Sequence, residues 1–244
     1  MFKKIVFLFL TTLLLSSTCY ADQALLFSDR QEVKSFINEM HKKHGFSKSY
    51  LHRLFSKFTK EQKVIDLMSK QYEALPWYKY RQLIISDQRI REGVAFYKKH
   101  NRLLKRAEKK YNVPAEIIVS ILGIETQYGK VMGNFPVLQS LATLAFDYPR
   151  RAKFFKSELE SFLLITKEGS LDPIKTKGSF AGAMGMPQFM PSSYHHYAVD
   201  ATGKGKRNII DSTEDAINSI ANYLKENGWK KGERTVLSNL KPNR

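Results

Sequence analysis

Apolar side chains recur every three or four residues along most of this chain. A first example begins at Ser28 and ends at Gly45, where a glycine is typical of a helix terminus. Its residues at helical spacing are Val33, Phe36 and Met40. No run of four to eight residues alternates between apolar and polar side chains as a half-buried strand does. The pattern therefore predicts an all-α fold, with a small hairpin or two at most.

Capping residues predict several of the helix boundaries. Ser28 is followed by Gln31 at the spacing of a capping box, and this pair predicts one helix start. Thr59 and Gln62 predict another in the same way. The basic segment at residues 87–111 keeps its apolar period throughout, and we expect it to form one long helix.

Residues 117–129, IIVSILGIETQYG, are apolar around most of the circumference of a helix. A helix of this kind is normally buried. Glu125 lies in its last turn, where the helix dipole disfavours a carboxylate. A lone acid among buried apolar residues has a raised pKa, as a general acid requires. Glu125 is therefore a candidate general acid; the alternative is a glutamate at a helix end that simply reaches solvent.

Residues 178–191 lose the helical period and contain three glycines, two phenylalanines, two prolines and Gln188. Glycines allow the backbone to approach a ligand closely. Apolar rings and one amide suit a sugar, whose faces stack and whose polar groups take hydrogen bonds. The alternative is an ordinary surface loop with buried Phe and Met side chains.

The composition indicates a folded protein with a polyanionic partner. Of 244 residues, 43% are hydrophobic and 26% are charged, as in globular domains. The formal net charge of +17 fits nucleic acid, anionic lipid or an anionic cell-wall polymer. The basic residues are scattered instead of forming one recognition arm, and an export signal argues against nucleic acid. We therefore expect no nucleic-acid partner.

Residues 1–21 have the three-part pattern of a secretory signal peptide. Lys3 and Lys4 precede an apolar run, too short to span a membrane, and small residues that end at Ala21. We expect cleavage there, export and a periplasmic location. The alternative is lipidation of Cys19, which would associate the protein with the outer membrane. Cys19 is the single cysteine, so the mature chain is predicted to contain no disulfide.

Residues 200–211, DATGKGKRNIID, have part of the spacing of a calcium-binding loop. An acid stands first, an oxygen ligand third and a glycine sixth. Lys204 stands fifth, where an ammonium repels a cation, and Asp211 replaces the bidentate glutamate at the twelfth position. We expect a loop that keeps this turn without tight calcium binding. The sequence predicts no other metal site and no cofactor.

Five blocks of sequence between Pro76 and Trp229 show a family resemblance. In chain order they are PWYKYR, VPAEIIVSILGIETQYGKVMG, LATLAFDYPRRAKFF, GSFAGAMGMPQFMPSSY and IANYLKENGW. Together they resemble glycoside hydrolase family 103, a family of lytic transglycosylases. The resemblance implies a lysozyme-like core at residues 111–231, preceded by a helical N-terminal domain at residues 22–110. It also implies that peptidoglycan glycan strands are the substrate.

The resemblance further implies a reaction in which one carboxyl group is both acid and base. The family cleaves the β-1,4 bond between N-acetylmuramic acid and N-acetylglucosamine without water and leaves a 1,6-anhydromuramoyl end. Glu125 matches the single catalytic acid. The positions that match substrate-binding residues are Tyr80, Arg150, Arg151, Ser179, Gln188, Phe189 and Tyr223. The paired arginines would meet peptide-stem or lactyl carboxylates, and a solvated helix start is the alternative.

The chain departs from the family after the last matching helix. Family members continue there through a small β-rich domain and a segment that returns to the cleft. Residues 232–244 are therefore expected to be a tail that lacks this part. A truncated, non-catalytic peptidoglycan-binding protein and a lysozyme-type hydrolase are the alternatives to a lytic transglycosylase. We expect a monomer.

Overall fold

The computed structural model describes residues 25–69 and 75–233, which are mainly helical. The α-helices of these residues are α1 (Gln31–His44), α2 (Lys48–Phe55), α3 (Gln62–Met68), α4 (Trp77–Ile84), α5 (Asp87–Lys99), α6 (Asn101–Tyr111), α7 (Ala115–Thr126), α8 (Val137–Asp147), α9 (Ala152–Lys167), α10 (Pro191–Tyr197) and α11 (Thr213–Glu226). Two short 3-10 helices, Phe27–Asp29 and Pro149–Arg151, precede α1 and α9. The predicted all-α fold class is confirmed.

The predicted signal segment at residues 1–21, including Cys19, lies outside the described residues, as does most of the predicted tail at residues 232–244. Export, cleavage and lipidation therefore stay predictions. Within the described part of the chain, no helix is both long enough and apolar enough to cross a membrane.

The first of two hydrophobic clusters is built around α8 and α9, whose Leu138 and Phe162 are completely buried. Helices α1, α2 and α3 contribute side chains to the same cluster. Phe36 of α1, for example, packs edge-on against Phe146 of α8 with 5.9 Å between the ring centroids. The first three helices therefore share a core with the middle of the chain.

The second hydrophobic cluster joins α6, α7 and α11 through completely buried residues such as Leu104, Ile118 and Ile217. The indole Nε1 of Trp229 donates to the carbonyl oxygen of Asn112 at 3.0 Å, beyond the ends of α11 and α6. This cluster contains residues on both sides of the predicted domain boundary at residue 110. The boundary stays a prediction, but packing in the described residues continues across it.

Both predicted capping boxes are wrong. The Ser28 hydroxyl lies in the first 3-10 helix and donates to the carboxylate of Asp29 at 3.1 Å. Thr59 forms an isolated β-bridge, and Glu61 caps α3 by accepting from the backbone N–H two residues later at 3.2 Å. In both places the chain forms a short local structure before the helix, so the hydroxyl comes too early to cap it.

The prediction of a single helix at residues 87–111 is wrong in one respect, because the chain bends at His100 and forms two helices, α5 and α6. His100 leaves helical geometry, with φ −109° and ψ 18°. The hydrogen bonds from His100 N–H to Phe96 and from Leu104 N–H to His100 continue across the bend. The apolar period does not reveal this change of direction, because both helices keep apolar residues at helical spacing on the face toward the core.

Two strands occur in the described residues, and they are far apart in sequence. β1 (Phe135–Pro136) pairs antiparallel with β2 (Lys177–Gly178), with α8 and α9 between them. This long-range pair replaces the local hairpin that the sequence allowed. After β2 the segment at residues 178–191, which we call the glycine-rich loop, folds back through bridges from Met184 to Gly178 and to Phe189. A Cβ at Gly133 would lie 2.1 Å from the carbonyl oxygen of Gly178, so only glycine fits there.

Tyr128 fixes α5 against the end of α7. Its hydroxyl donates to the carbonyl oxygen of Arg89 at 2.8 Å, and its ring stacks on Phe96 at 5.5 Å. Gly93 and Gly123 provide the space for that hydroxyl, since a Cβ at either position would lie 2.5 or 2.6 Å from it. The glycine in the middle of α7 is therefore a packing requirement.

Replacing this glycine tests that requirement. We expect Gly123→Ala to destabilise the protein by about 1–3 kcal/mol, because its methyl group overlaps the Tyr128 hydroxyl. Without the overlap, alanine would stabilise a helix interior. Urea unfolding measures the difference, with Asn38→Ala at an exposed position of α1 as the control. Equal or higher stability of Gly123→Ala would contradict the packing explanation.

Candidate active site

Glu125 lies in the last turn of α7. The helix is not buried all round as predicted: Ile118 and Leu122 are inaccessible, but Ile124 is 46% exposed. Glu125 as a whole residue is also open to solvent, whereas its carboxyl group is partly enclosed by the protein. This loss of hydration raises the pKa of Glu125 above the usual value for glutamate. The predicted direction of the pKa is confirmed.

Glu125 lines a cavity of about 310 Å³ between α7, α11 and the glycine-rich loop. The lining residues are Ile121, Glu125, Pro187, Gln188, Phe189, Met190, Ser193, Ile220 and Tyr223. Glu125 is the one carboxyl group among these described residues. One acid, one amide and several apolar or aromatic surfaces form a site suited to a sugar.

The hydroxyl of Thr126 joins α7 to the glycine-rich loop, of which residues 187–190 line this cavity. It donates to the carbonyl oxygen of Met186 at 2.8 Å and accepts from the backbone N–H of Gly129 at 3.0 Å. Thr126 is only 1% exposed. This buried hydroxyl therefore holds the residue next to Glu125 against the loop that contains Gln188. No motif indicated Thr126, and its place beside the candidate acid was the only signal in the sequence.

Gln188 is held in a left-handed backbone conformation, with φ 51°, which non-glycine residues rarely adopt. Its Nε2 donates to the carbonyl oxygens of Gly185 at 2.9 Å and Met132 at 3.2 Å. Its Oε1 forms no hydrogen bond to the described residues and is the atom left for a ligand. Such backbone strain is common at binding sites, where surrounding contacts must maintain it.

Aromatic rings form another part of the cavity wall, at Phe189 and Tyr223. The rings of Phe189 and Tyr223 lie 5.6 Å apart, and Tyr197 packs edge-on against Tyr223 at 5.0 Å. Phe189 is 8% exposed and Tyr223 36%, so Tyr223 offers more of its ring to a ligand. Phe189 and Tyr223, together with Glu125 and Gln188, are the predicted site residues that the fold brings to this cavity.

The other four predicted binding residues do not line this cavity. The Ser179 hydroxyl accepts from two backbone N–H groups of the glycine-rich loop at 3.0 and 3.2 Å, and so shapes that loop. The guanidinium group of Arg151 lies 4.3 Å from the ring centroid of Phe154. Arg150 is exposed in the 3-10 helix before α9, and Tyr80 lies in α4. Their roles in substrate binding stay predictions.

The loop at residues 200–211 is held together by two carboxylates. Asp200 accepts from the backbone N–H groups of Lys204 at 3.2 Å and Gly205 at 2.6 Å. Asp215, only 1% exposed, accepts from three backbone N–H groups of the loop at 2.9 to 3.3 Å. Lys204 stands at the fifth position of this loop, where a calcium ligand is expected, and the absence of tight calcium binding stays a prediction. In the described residues, no group of three His, Cys, Asp or Glu side chains could hold a metal.

A separate groove of about 670 Å³ lies between α5 and α7 and is larger than the cavity at Glu125. It is lined mostly by apolar side chains, of which Ile90 is 55% and Val94 50% exposed. Its one acid, Glu116, lies in the first turn of α7. We place the site at Glu125 because a carboxyl with a raised pKa meets an amide and aromatic rings there.

Comparison with known proteins decides the family. The sequence model of one protein family, the transglycosylase SLT domain, matches residues 28–242. The chain belongs to that family. Among curated proteins, this SLT-domain chain is 43% identical over 221 residues to membrane-bound lytic murein transglycosylase B of Escherichia coli K12. The match covers 86% of this chain but only 61% of that protein, so the chain spans less than two thirds of the relative.

Two solved structures share the fold of the SLT-domain chain. Soluble lytic transglycosylase SltB1 of Pseudomonas aeruginosa matches with a TM-score of 0.80 and 48% identity, over 83% of this chain and 69% of that chain. SltB3 of the same organism, in complex with NAG-NAM-pentapeptide, matches with a TM-score of 0.76 and 36% identity, over 83% and 54%. The likeness confirms the predicted lysozyme-like transglycosylase fold.

Substitution of Thr126 tests the connection between α7 and the loop of this SLT-domain protein. We expect Thr126→Val to lower the free energy of unfolding by about 1–3 kcal/mol, because it leaves the Met186 carbonyl and the Gly129 N–H without their partner. Thr126→Ser keeps the hydroxyl and serves as the matched control. Urea unfolding of both variants measures the effect. If valine is tolerated as well as serine, the hydroxyl does not hold the two elements together.

Proposed function

We propose that this protein is a lytic transglycosylase that cleaves the β-1,4 bond between N-acetylmuramic acid and N-acetylglucosamine in peptidoglycan. The product would have a 1,6-anhydromuramoyl end. The observation that supports this most is the single carboxyl group of the cavity, whose pKa is raised by loss of hydration. Family membership and the names of the relatives, which are lytic transglycosylases, support the same reaction.

In the proposed reaction Glu125 performs both proton transfers. Its protonated carboxyl first donates a proton to the glycosidic oxygen as the bond to the anomeric carbon breaks. The resulting carboxylate then accepts the proton of the muramoyl 6-hydroxyl while that oxygen bonds to the anomeric carbon. The usual glycosidase scheme needs a second carboxylate as base or nucleophile. The proposed one does not, because the attacking oxygen belongs to the substrate and its N-acetyl group helps to stabilise the intermediate.

The other residues of the cavity have proposed roles in binding. Phe189 and Tyr223 would pack against the faces of the sugar rings, and Oε1 of Gln188 would accept a hydrogen bond from a hydroxyl or amide group. SltB3 was solved with a NAG-NAM-pentapeptide, which supports a peptide-bearing glycan as ligand here. Tyr80, Ser179, Arg150 and Arg151 are proposed to act farther along the strand.

The remaining expectations from the sequence are also part of the proposal. We expect a periplasmic monomer whose loop at residues 200–211 does not bind calcium tightly, because the ammonium group of Lys204 stands where a ligand oxygen is needed. The alternatives are a lysozyme-type hydrolase, in which water attacks, and a peptidoglycan-binding protein without turnover. Product analysis distinguishes all three.

Digestion of purified peptidoglycan tests the proposal. We expect wild-type protein to release muropeptides lighter by one water than hydrolysis products, and Glu125→Gln to lower the rate by about 100-fold or more. Glu116→Gln, an exposed change on the same helix, is the control and should keep the rate. Mass spectrometry of soluble products gives both results. Products with full water content would establish a hydrolase, and none from a folded, murein-bound protein would establish a binder.

The pH dependence of the reaction tests the role of Glu125 separately. A general acid acts while protonated, so kcat/KM should fall as pH rises through the pKa of Glu125. Because burial raises that pKa, the fall should come at a higher pH than for an ordinary glutamate, whose pKa is 4.5. A profile of kcat/KM from pH 3 to 9 measures it. A fall centred at or below the ordinary value would show that the environment of Glu125 does not tune the acid.

A further inference from the structure

Three lysines from two separate segments line a groove of about 400 Å³. Lys175 and Lys177 lie on either side of Thr176, which is buried and whose hydroxyl donates to the carbonyl oxygen of Asp172 at 2.6 Å. Both side chains line the groove, Lys175 from a turn and Lys177 from β2. Lys206 reaches it from the loop at residues 200–211. We call this feature the lysine groove.

The lining of the lysine groove contains three lysines and two aspartates, so its formal charge is positive. None of the three lysines forms an ion pair within the described residues. Asp172 also lines the groove, but its Oδ1 accepts from the backbone N–H groups of Ile174 at 2.8 Å and Lys175 at 3.0 Å. Asp211 accepts from the side chain of Asn208 at 3.3 Å. The groove therefore favours an anionic ligand.

Gln188 separates the lysine groove from the cavity at Glu125. The side chain lines that cavity, and its Nε2 donates to the carbonyl oxygens of Met132 and Gly185. Met132 and Gly185 both line the lysine groove. Gln188 therefore connects the two spaces: it lines the cavity and is hydrogen-bonded to two residues that line the groove.

We propose that the lysine groove binds the carboxylates of the peptide stem carried by the glycan strand in the catalytic cavity. This inference rests on the proposed function, which supplies a glycan whose muramic acid residues carry acidic peptides through a lactyl group. Ammonium groups on flexible side chains suit carboxylates whose positions vary from stem to stem. Arg151, whose guanidinium group lies over the ring of Phe154, stays a separate candidate for the same carboxylates.

The test compares two substrates and two triple variants. One substrate is intact peptidoglycan, and the other is the same glycan with its stems removed by an amidase. The groove variant is Lys175→Gln, Lys177→Gln and Lys206→Gln. The charge-matched control is Lys34→Gln, Lys42→Gln and Lys99→Gln, which alters exposed helix positions elsewhere. Thermal unfolding should be unchanged in both, since all six side chains are exposed.

We expect the groove variant to raise KM for intact peptidoglycan by about tenfold, with kcat unchanged, through loss of two or three exposed charge contacts. On stem-free glycan, neither variant should change KM by more than about twofold. Equal losses on both substrates, equal losses in both variants, or no loss at all would overturn the inference.

A binding measurement separates this inference from the proposed activity. In the Glu125→Gln background, co-sedimentation with intact and stem-free peptidoglycan reports affinity without cleavage. Suppose that wild-type protein releases no product, but binds intact peptidoglycan more tightly than stem-free glycan, and that only the groove variant loses this preference. The proposed function then fails and the inference about the groove stands. If products form as proposed and no stem preference exists, the function stands and the inference fails.

Discussion

The candidate site depends on one buried hydroxyl, that of Thr126, at the end of the helix that contains the acid. A helix end exposes carbonyl groups that need partners, and here the backbone also reverses direction through Gln127, Tyr128 and Gly129, all with positive φ. The hydroxyl bonds both to this reversal and to Met186 of the glycine-rich loop. Glu125 is thereby kept beside the opposite wall, where partial loss of water raises its pKa.

The site also lies where the two hydrophobic clusters meet. Phe189 belongs to the cluster built on α8 and α9, whereas Ile220 belongs to the cluster of α6, α7 and α11, and both line the cavity. Gly185 allows the glycine-rich loop to approach the loop at residues 200–211, since a Cβ there would lie 2.6 Å from the carbonyl oxygen of Ile209. A substrate in the cavity would therefore contact elements from both clusters, and mutations in either can alter its geometry.

The apolar period predicted the helical fold because it is a local signal, whereas the meeting of Glu125, Gln188, Phe189 and Tyr223 was predicted only through the resemblance to a known family. It did not predict the bend at His100, since both halves of that segment keep an apolar face. The role of Thr126 was not predicted, because a single hydroxyl side chain forms no recognisable motif and its partner Met186 lies sixty residues away. Interactions between distant segments, such as the lysine groove formed with Lys206, are invisible to any local pattern.

The most direct test of this account is the pKa of Glu125, measured by NMR titration of protein labelled with 13C at the glutamate side-chain carboxyl. The account predicts one carboxyl resonance that titrates above the ordinary value of 4.5, and that is absent from the spectrum of Glu125→Gln. A Glu125 resonance that titrates at or below the ordinary value would contradict the account. The cavity would then hold a hydrated carboxylate, unsuited to protonate a leaving group.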